Sequence, residues 1–330
     1  MTDLNLEIRP ARVPDDYPAI AAVLYATNPE WPITAEDIAR EDANREPQFH
    51  HARFVAEILE SGSNGLERRV VGAAQTGHNP FSHREDKFFV DVRVHPEYRQ
   101  RGIGQSLYQT VLNHLEPMNP GLLVARTQEN WPESVAFLER RGFREEHRRF
   151  ESRLRPSSLD LSRYDGLEAR ARATGIEIEA YSSITDPERE RKLYDLDIET
   201  TLDVPFGEPV TPPGFEQYKK EELEDPRFLP DGTFIALKDG EFVGMSSLGR
   251  DPDADFLVIR MTGVKRAYRG LGLAKLLKIH GVRYALAHGD LEIRTFNDPD
   301  NTSMLKINQE MGFVARPAML RYSRKLERMG

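Results

Sequence analysis

The chain contains no cysteine. That excludes disulfides, thiolate metal sites and a cysteine nucleophile, and it is compatible with a reducing cytoplasm, which is the expected compartment. No apolar run approaches the ~20 residues needed to span a bilayer. The start, Met1 to Pro10, lacks a basic segment followed by an apolar core, so neither a signal peptide nor a membrane partner is expected. Basic residues are outnumbered, 45 against 54 acidic, for a net charge of -9. A protein that binds nucleic acid by neutralising phosphates is therefore not expected. Metal-binding spacings are missing as well: His50, His51, His78 and His83 fit neither a helical histidine pair nor a zinc finger. No Lys-Ser/Thr follows Gly102 or Gly270, which argues against a nucleotide-hydrolysing loop, and the full Gly-x-Gly-x-x-Gly of a dinucleotide fold is absent.

What the chain does have is one stretch that occurs twice. Val264-Lys265-Arg266-Ala267-Tyr268-Arg269-Gly270-Leu271-Gly272-Leu273-Ala274 follows an apolar strand-like run and leads into a helix-like one. Val94-His95-Pro96-Glu97-Tyr98-Arg99-Gln100-Arg101-Gly102-Ile103-Gly104 repeats its plan. Gly102 and Gly272 lie 170 residues apart, and so do Gly142-Phe143 and Gly312-Phe313. Two independent landmarks with one period indicate an internal duplication. A chain of 330 residues agrees, since domains usually run ~100 to 200 residues.

Small residues at a helix start let backbone N–H groups approach a diphosphate, and the helix N-terminus is electropositive. Arg99, Arg101 and Arg269 add charge-assisted donors. The pattern Arg-x-x-Gly-x-Gly/Ala between a strand and a helix resembles the coenzyme A pyrophosphate loop of the GNAT superfamily, the acyl-CoA-dependent N-acetyltransferases. The resemblance implies an α/β (mixed α+β) fold of two tandem domains, each a mixed, mostly antiparallel sheet flanked by helices. It also implies acetyl-CoA (coenzyme A) as cofactor and an amine as acceptor, here most simply a small-molecule amine and less simply a peptide or protein amine. The tandem layout is similar to that of mycothiol synthase.

Periodicity orders the chain accordingly. In the first half, residues 4–9 read as a strand, 15–26 as a helix, and Thr34 with Asp37 as a capping box opening a helix toward Glu46. Strands follow at 49–58 and 69–76 around a turn at 61–65, then at 88–94. Beyond the loop come a helix at 102–115, a strand at 122–127, a helix at 132–141 stopped by Gly142, and one or two closing strands at 143–154. The second half repeats the plan with a strand at 176–181, helices at 187–200 and 215–224, and strands at 233–237, 242–248 and 256–264. A helix at 271–287, a strand at 291–295, a helix at 301–311 and a last strand at 319–325 complete it. Asp239-Gly240 is a hairpin signal. The expected division is an N-terminal domain at 1–155, a linker at 156–175 and a C-terminal domain at 176–330.

The resemblance further implies that the strand before each loop splays from its neighbour and offers its main chain to the pantetheine arm, at Val92 to Val94 and at Met261, Thr262, Gly263 and Val264. The loop contacts would come from Arg99, Gln100, Arg101, Gly102, Ile103 and Gly104, and from Arg269, Gly270, Leu271, Gly272, Leu273 and Ala274. On the last helix the family commonly carries an Asn that touches the cofactor arm and a Tyr that protonates the thiolate. The second half has Asn301 and Asn308 there, and the first has Trp131 and Leu138. Asn301 and Asn308 are seven residues apart, so they share a helical face. Asn301 serves as an N-cap, a cofactor contact, or both. An amide gives up no proton at neutral pH, so water, another Tyr or the amine's own proton must serve the thiolate. No Glu stands at the strand position where histone-acetylating members carry one, since Val258 and Phe88 lie there. Asp203, Glu208 and Glu199 are candidate bases, with solvated surface carboxylates as the alternative. Phe206 either lines a substrate pocket or docks on its own domain. The second half, with its polar pair, is the expected site of transfer, while the first binds coenzyme A without catalysis or serves as scaffold. A non-catalytic acyl-CoA-binding or regulatory module is the alternative function.

Overall fold

Alternating apolar and polar residues build β1 (Leu6–Pro10), and Pro18 in the first turn suits the start of α1 (Tyr17–Thr27). The computed structural model describes residues 5–62, 65–251 and 254–327. Leu4 of the first predicted strand, and Ser63 and Asn64 of the predicted turn, lie outside them. The capping box forms: Asp37 donates its N–H to Thr34 Oγ1 at 3.1 Å and accepts the Thr34 N–H at 3.0 Å. That starts α2 (Ala35–Asn44). The antiparallel β2 (Ala52–Gly62) and β3 (Gly65–Gly77) follow, then β4 (Lys87–Val94), α3 (Ile103–Leu115), β5 (Leu122–Gln128) and α4 (Pro132–Glu139). These strands lie in the order β1-β2-β3-β4-β5, antiparallel except for β4 against β5. Phe88, Leu107, Val111 and Leu123 are buried where α3 packs on the sheet.

Compactness divides the chain into one unit of residues 1–127, 131–146 and 320–330 and a second of residues 128–130 and 147–319. β6 (Arg144–Leu154) places residues 147–154 in the second unit. α5 (Gly166–Ala173), β7 (Ile176–Ala180), α6 (Arg189–Thr201) and α7 (Phe215–Tyr218) come next. A π-helical turn at Lys219–Leu223 extends α7, where the sequence predicts one continuous helix. Then follow β8 (Phe228–Lys238), β9 (Glu241–Gly249), β10 (Phe256–Val264), α8 (Leu273–Ala287), β11 (Glu292–Asn297), α9 (Thr302–Glu310) and β12 (Val314–Ala315). The order is β6-β11-β10-β9-β8-β7, with β10 and β11 parallel. Asp239 and Gly240 turn the β8–β9 hairpin with φ of 51° and 80°, the positive values a tight two-residue hairpin requires.

Two segments pair away from their positions in the repeat. Residues 150–154, read from sequence as closing the first half, run antiparallel to β11, from Phe150↔Asn297 to Leu154↔Ile293. β13 (Met319–Lys325) places residues 320–325 in the first unit, beside β5. Alternation tells which face of a strand is buried, not which strand lies next to it. Residues 156–175, read as a linker, are built into the second unit, where Leu167 and Ala171 of α5 join the buried core. Among the described residues no helix is long and apolar enough to cross a membrane.

Candidate functional site

In both units the parallel pair splays. β4 and β5 are paired only from Lys87↔Leu122 to Phe89↔Val124, while β4 goes on to Val94 bonded to β3 alone, with Val92 opposite Ala74 and Val94 opposite Gly72. β10 and β11 are paired only from Phe256↔Glu292 to Val258↔Arg294. Met261, Thr262, Gly263 and Val264 then continue against β9. The loop after each splayed strand has one backbone. A 3₁₀ turn at Pro96–Tyr98 or Arg266–Tyr268 leads into left-handed residues, Gln100 and Gly102 at φ 60° and 84° and Gly270 and Gly272 at 81° and 80°. Arg99 Nε donates to the Val94 carbonyl at 3.3 Å, and Arg269 Nε to that of Val264 at 3.0 Å. Ile103 and Leu273 are buried and anchor the first helical turns, whose next residues are Gly104 and Ala274. No side chain caps α3 or α8. The first-turn N–H groups are thus left for another partner, and an anion suits them.

The surroundings of the two loops differ. In the first unit a cavity of about 750 Å³ opens along the splay, lined by Val92, Val94, Arg99, Gln100, Gly102 and Gly104 among others. Thr127 also lines it, 2% exposed, with Oγ1 buried and without a hydrogen-bond partner. A side-chain carbon added at Gly102 would meet nothing within 4 Å. Among the described residues no carboxylate pairs with Arg99 or Arg101; Arg101 instead lies over the Tyr98 ring, 5.3 Å from its centroid. Trp131 and Leu138 both face the cavity, Trp131 with the Arg93 guanidinium 5.5 Å from its ring. Loop amides, a guanidinium that no carboxylate among the described residues engages, an apolar slot and an unmet hydroxyl suit an elongated anion with an apolar arm.

In the second unit Asp203 occupies both loop arginines. It accepts from Arg266 Nε at 3.1 Å and from the Nη2 groups of Arg266 and Arg269. The hydrogen bonds from Arg266, then Arg269, hold its carboxyl down at about 2. So acidic a carboxyl is a weak base, and the loop's counter-ion is where the structure places this predicted base. Glu199 lies 4.0 Å from Lys265 Nζ with its side chain half exposed. Phe206 is half-buried, 5.7 Å from the Arg149 guanidinium, and a side-chain carbon added at Gly207 would fall 2.6 Å from the His147 ring. The loop carrying Phe206 and the half-buried Glu208 therefore docks on its own unit. Leu271, at the tip of the cofactor-type loop, is exposed. At Gly263 an added carbon would collide with Thr200 of α6, so α6 rests directly on the main chain of β10. The β9–β10 register jumps from Ile259↔Leu248 to Met261↔Ser247, leaving Arg260 as a bulge. β4 has no jump against β3.

On the last helix the N-cap reading of Asn301 holds, while Asn308 has partners from outside the helix. Asn301 caps α9, accepting the Met304 N–H at 3.2 Å. Asn308 is 2% exposed and sits between two partners: Lys278 Nζ donates to its Oδ1 at 2.8 Å, and its Nδ2 donates to Asn297 Oδ1 at 2.5 Å. Lys278 is itself buried on α8, and that burial brings its ammonium down to about 7. The sequence signal for it was a lysine inside Leu276-Leu277-Lys278-Ile279. Two carboxylates escaped sequence reading altogether. Asp197 of α6 accepts from Tyr218 Oη at 2.9 Å and Thr201 Oγ1 at 3.2 Å, and Glu222 of the π-helical turn pairs with Arg260 of the bulge. Desolvation pushes both carboxyls up. The Glu222 side chain is still 42% exposed, so water reaches it from one side while protein crowds the others.

Comparison with known proteins agrees with this geometry. A mycothiol acetyltransferase of Parafrankia sp. (strain EAN1pec) is 23% identical over 279 residues, covering 79% of this chain and 84% of that protein. One from Paenarthrobacter aurescens (strain TC1) is 22% identical over 308 residues, covering 91% and 78%. The solved tandem GNAT protein from the clavulanic acid biosynthesis pathway superposes with a TM-score of 0.71 at 22% identity, covering 98% of this chain and all of that one. The sequence model of the Acetyltransferase (GNAT) family matches residues 20–143 and again residues 193–313, most of the chain, and the chain belongs to that family as a tandem acyltransferase.

Proposed function

We propose that this protein transfers an acetyl group from acetyl-CoA to the primary amine of a small molecule. The observation that carries the cofactor half of this reading is the first unit's cavity of about 750 Å³, lined by the open glycine loop, the splayed strand and the unmet hydroxyl of Thr127. Arg99 and the first-turn amides of α3 would hold the pyrophosphate, and the main chain at Val92 and Val94 the pantetheine arm. The relatives named mycothiol acetyltransferases support a small-molecule acceptor as a class.

Transfer is assigned to the second unit, which has a polar last helix and a bulged β10 where the first unit has Trp131, Leu138 and an unbroken ladder. Arg269, Gly272 and the first turn of α8 would bind the pyrophosphate there once Asp203 yields. The amine nitrogen attacks the thioester carbonyl, the C–N bond forms, the C–S bond breaks, and its electron pair leaves on sulfur. Main-chain N–H groups at the Arg260 bulge would serve the oxyanion. Glu222 and Asp197, whose carboxyls burial raises and which flank the bulge from the π-helical turn and α6, would take the amine's proton.

The second reading, an acyl-CoA-binding or regulatory module, is favoured by Asp203 on the second loop. Incubating the protein with acetyl-CoA and a panel of small amines and peptides, and following free thiol and acetylated product, separates the two. Acceptor-dependent thiol release with small amines is expected. Release only with peptides would overturn the small-molecule class, and binding without release across the panel would favour the regulatory module.

A further inference from the structure

Lys278 is 2% exposed and hydrogen-bonded to an amide oxygen, with the Phe313 ring 4.9 Å from its Nζ. Of the charged groups on the elements around it, Lys306 of α9 is exposed and Arg294 of β11 pairs with Glu292. Lys275 of α8 pairs with Glu310 of α9, and His280 and Arg283 of α8 face Glu168 of α5. Desolvation alone lowers its ammonium to about 7. The unfolded chain holds that proton more tightly, near ~10.4, so the charge opposes folding at neutral pH, and stability rises as pH goes from about 7 toward that value. A methionine would fill the same space without this burden.

The contacts of Lys278 give it a use. Its Nζ donates to Asn308 Oδ1, and Asn308 Nδ2 donates to Asn297 Oδ1. Asn297 ends β11, past Arg294, where pairing with β10 stops. The network thus runs from a buried cation to the splay. A cation on the amide oxygen polarises the amide and strengthens its N–H groups as donors. We infer that Lys278, acting through Asn308, stabilises the thiolate that leaves in the second unit, supplying as charge what the last helix lacks as a tyrosine at Asn308. The inference rests on the transfer reading of that unit. The C–S bond breaks with its pair on sulfur, the amine's proton passes to a carboxylate or water, and Lys278 keeps its own. Lys278 is on this account a positioning residue.

The test uses the full-length Gly102→Glu protein, so that coenzyme A binds at the second loop only, and titrates the bound thiol by thiolate absorbance. A bound thiol about one unit more acidic than free coenzyme A is expected, with that tenfold gain lost in Lys278→Met. Lys278→Met should also lower kcat at least tenfold with little change in KM, remove the fall in rate above about pH 7, and raise the melting temperature. Asn308→Tyr added to Lys278→Met should recover part of kcat. An unchanged bound-thiol titration in Lys278→Met, or a lower melting temperature with kcat retained, would make the lysine structural and overturn the inference. A measurement on the unmodified protein stands independently of any variant. The Lys278 side chain, followed by NMR, should titrate higher when coenzyme A is bound as thiolate, because the coupling is reciprocal, and no movement overturns the inference. Absence of coenzyme A binding in the Gly102→Glu protein would instead remove the second unit as the transfer site, and the inference with it.

Discussion

The two copies of the glycine loop have one backbone and two environments. Gly102 and Gly272 share a left-handed conformation, and Arg99 and Arg269 brace the loop to the strand carbonyl five residues back. Around the first loop lies an open cavity, and no carboxylate among the described residues pairs with its arginines. Around the second, Asp203 already engages Arg266 and Arg269, α6 closes on Gly263, and a lysine and two asparagines lock the last helix to the splay. A carboxylate offers an arginine pair much of what a phosphate offers. The difference teaches that the motif encodes the backbone shape of the loop, while residues far off in sequence decide what surrounds its arginines.

Breaking the comparison at its root should have the largest effect. Gly272→Glu places a bulky anion on the second loop and should lower kcat/KM for acetyl-CoA at least 100-fold while leaving binding at the first loop intact, measured by steady-state kinetics beside calorimetry. Retention of transfer in Gly272→Glu and its loss in Gly102→Glu would reverse the assignment of the units. Next in size is Gly263→Ala, whose added carbon collides with Thr200. Overpacking of this kind costs about 1 to 3 kcal/mol, to be read from denaturant unfolding, and Thr200→Gly in the same chain should recover most of it.

Freeing the second loop sharpens the contrast. Asp203→Asn should tighten coenzyme A binding there by about tenfold, on the order of 1.4 kcal/mol, in calorimetry of the Gly102→Glu protein. An unchanged affinity would mean that the ligand does not compete with Asp203. The folded carboxyl is depressed to about 2, below the unfolded value of ~3.9. Its contribution to stability is therefore present above that unfolded value and lost as pH falls through about 2. The smallest effect belongs to the first cavity: Thr127→Val removes a buried hydroxyl that has no partner. Relief of up to about 1 kcal/mol should raise the melting temperature by ~2 to 4 °C in a unit of this size.

The sequence carried the parts of the fold that are local. The capping box at Thr34 and Asp37, the Asp239-Gly240 hairpin and both loops could be read because each depends on residues a few positions apart, and the duplication because two such local patterns recur at one offset. The pairing of residues 150–154 with β11, and of β13 with β5, could not, because alternation fixes a face and leaves the partner open. The site divides in the same way. Asn301 and Asn308 were found from their spacing to Gly312, but the partners that define Asn308 come from α8 and β11. Asp203 was visible as an acid in a loop, yet its partners are more than sixty residues away, and with them its role. Asp197 and Glu222 gave no signal, since only the packing of α6 and the π-helical turn around them raises their carboxyls.

Calorimetric titration of coenzyme A into the intact protein, beside Gly102→Glu and Gly272→Glu with folding checked by far-UV circular dichroism, tests the central claim most directly. A ready first site and a guarded second one should appear as a tighter binding event lost in Gly102→Glu and kept in Gly272→Glu, with a weaker event behaving in the opposite way. A tighter event that disappears only in Gly272→Glu would contradict the account.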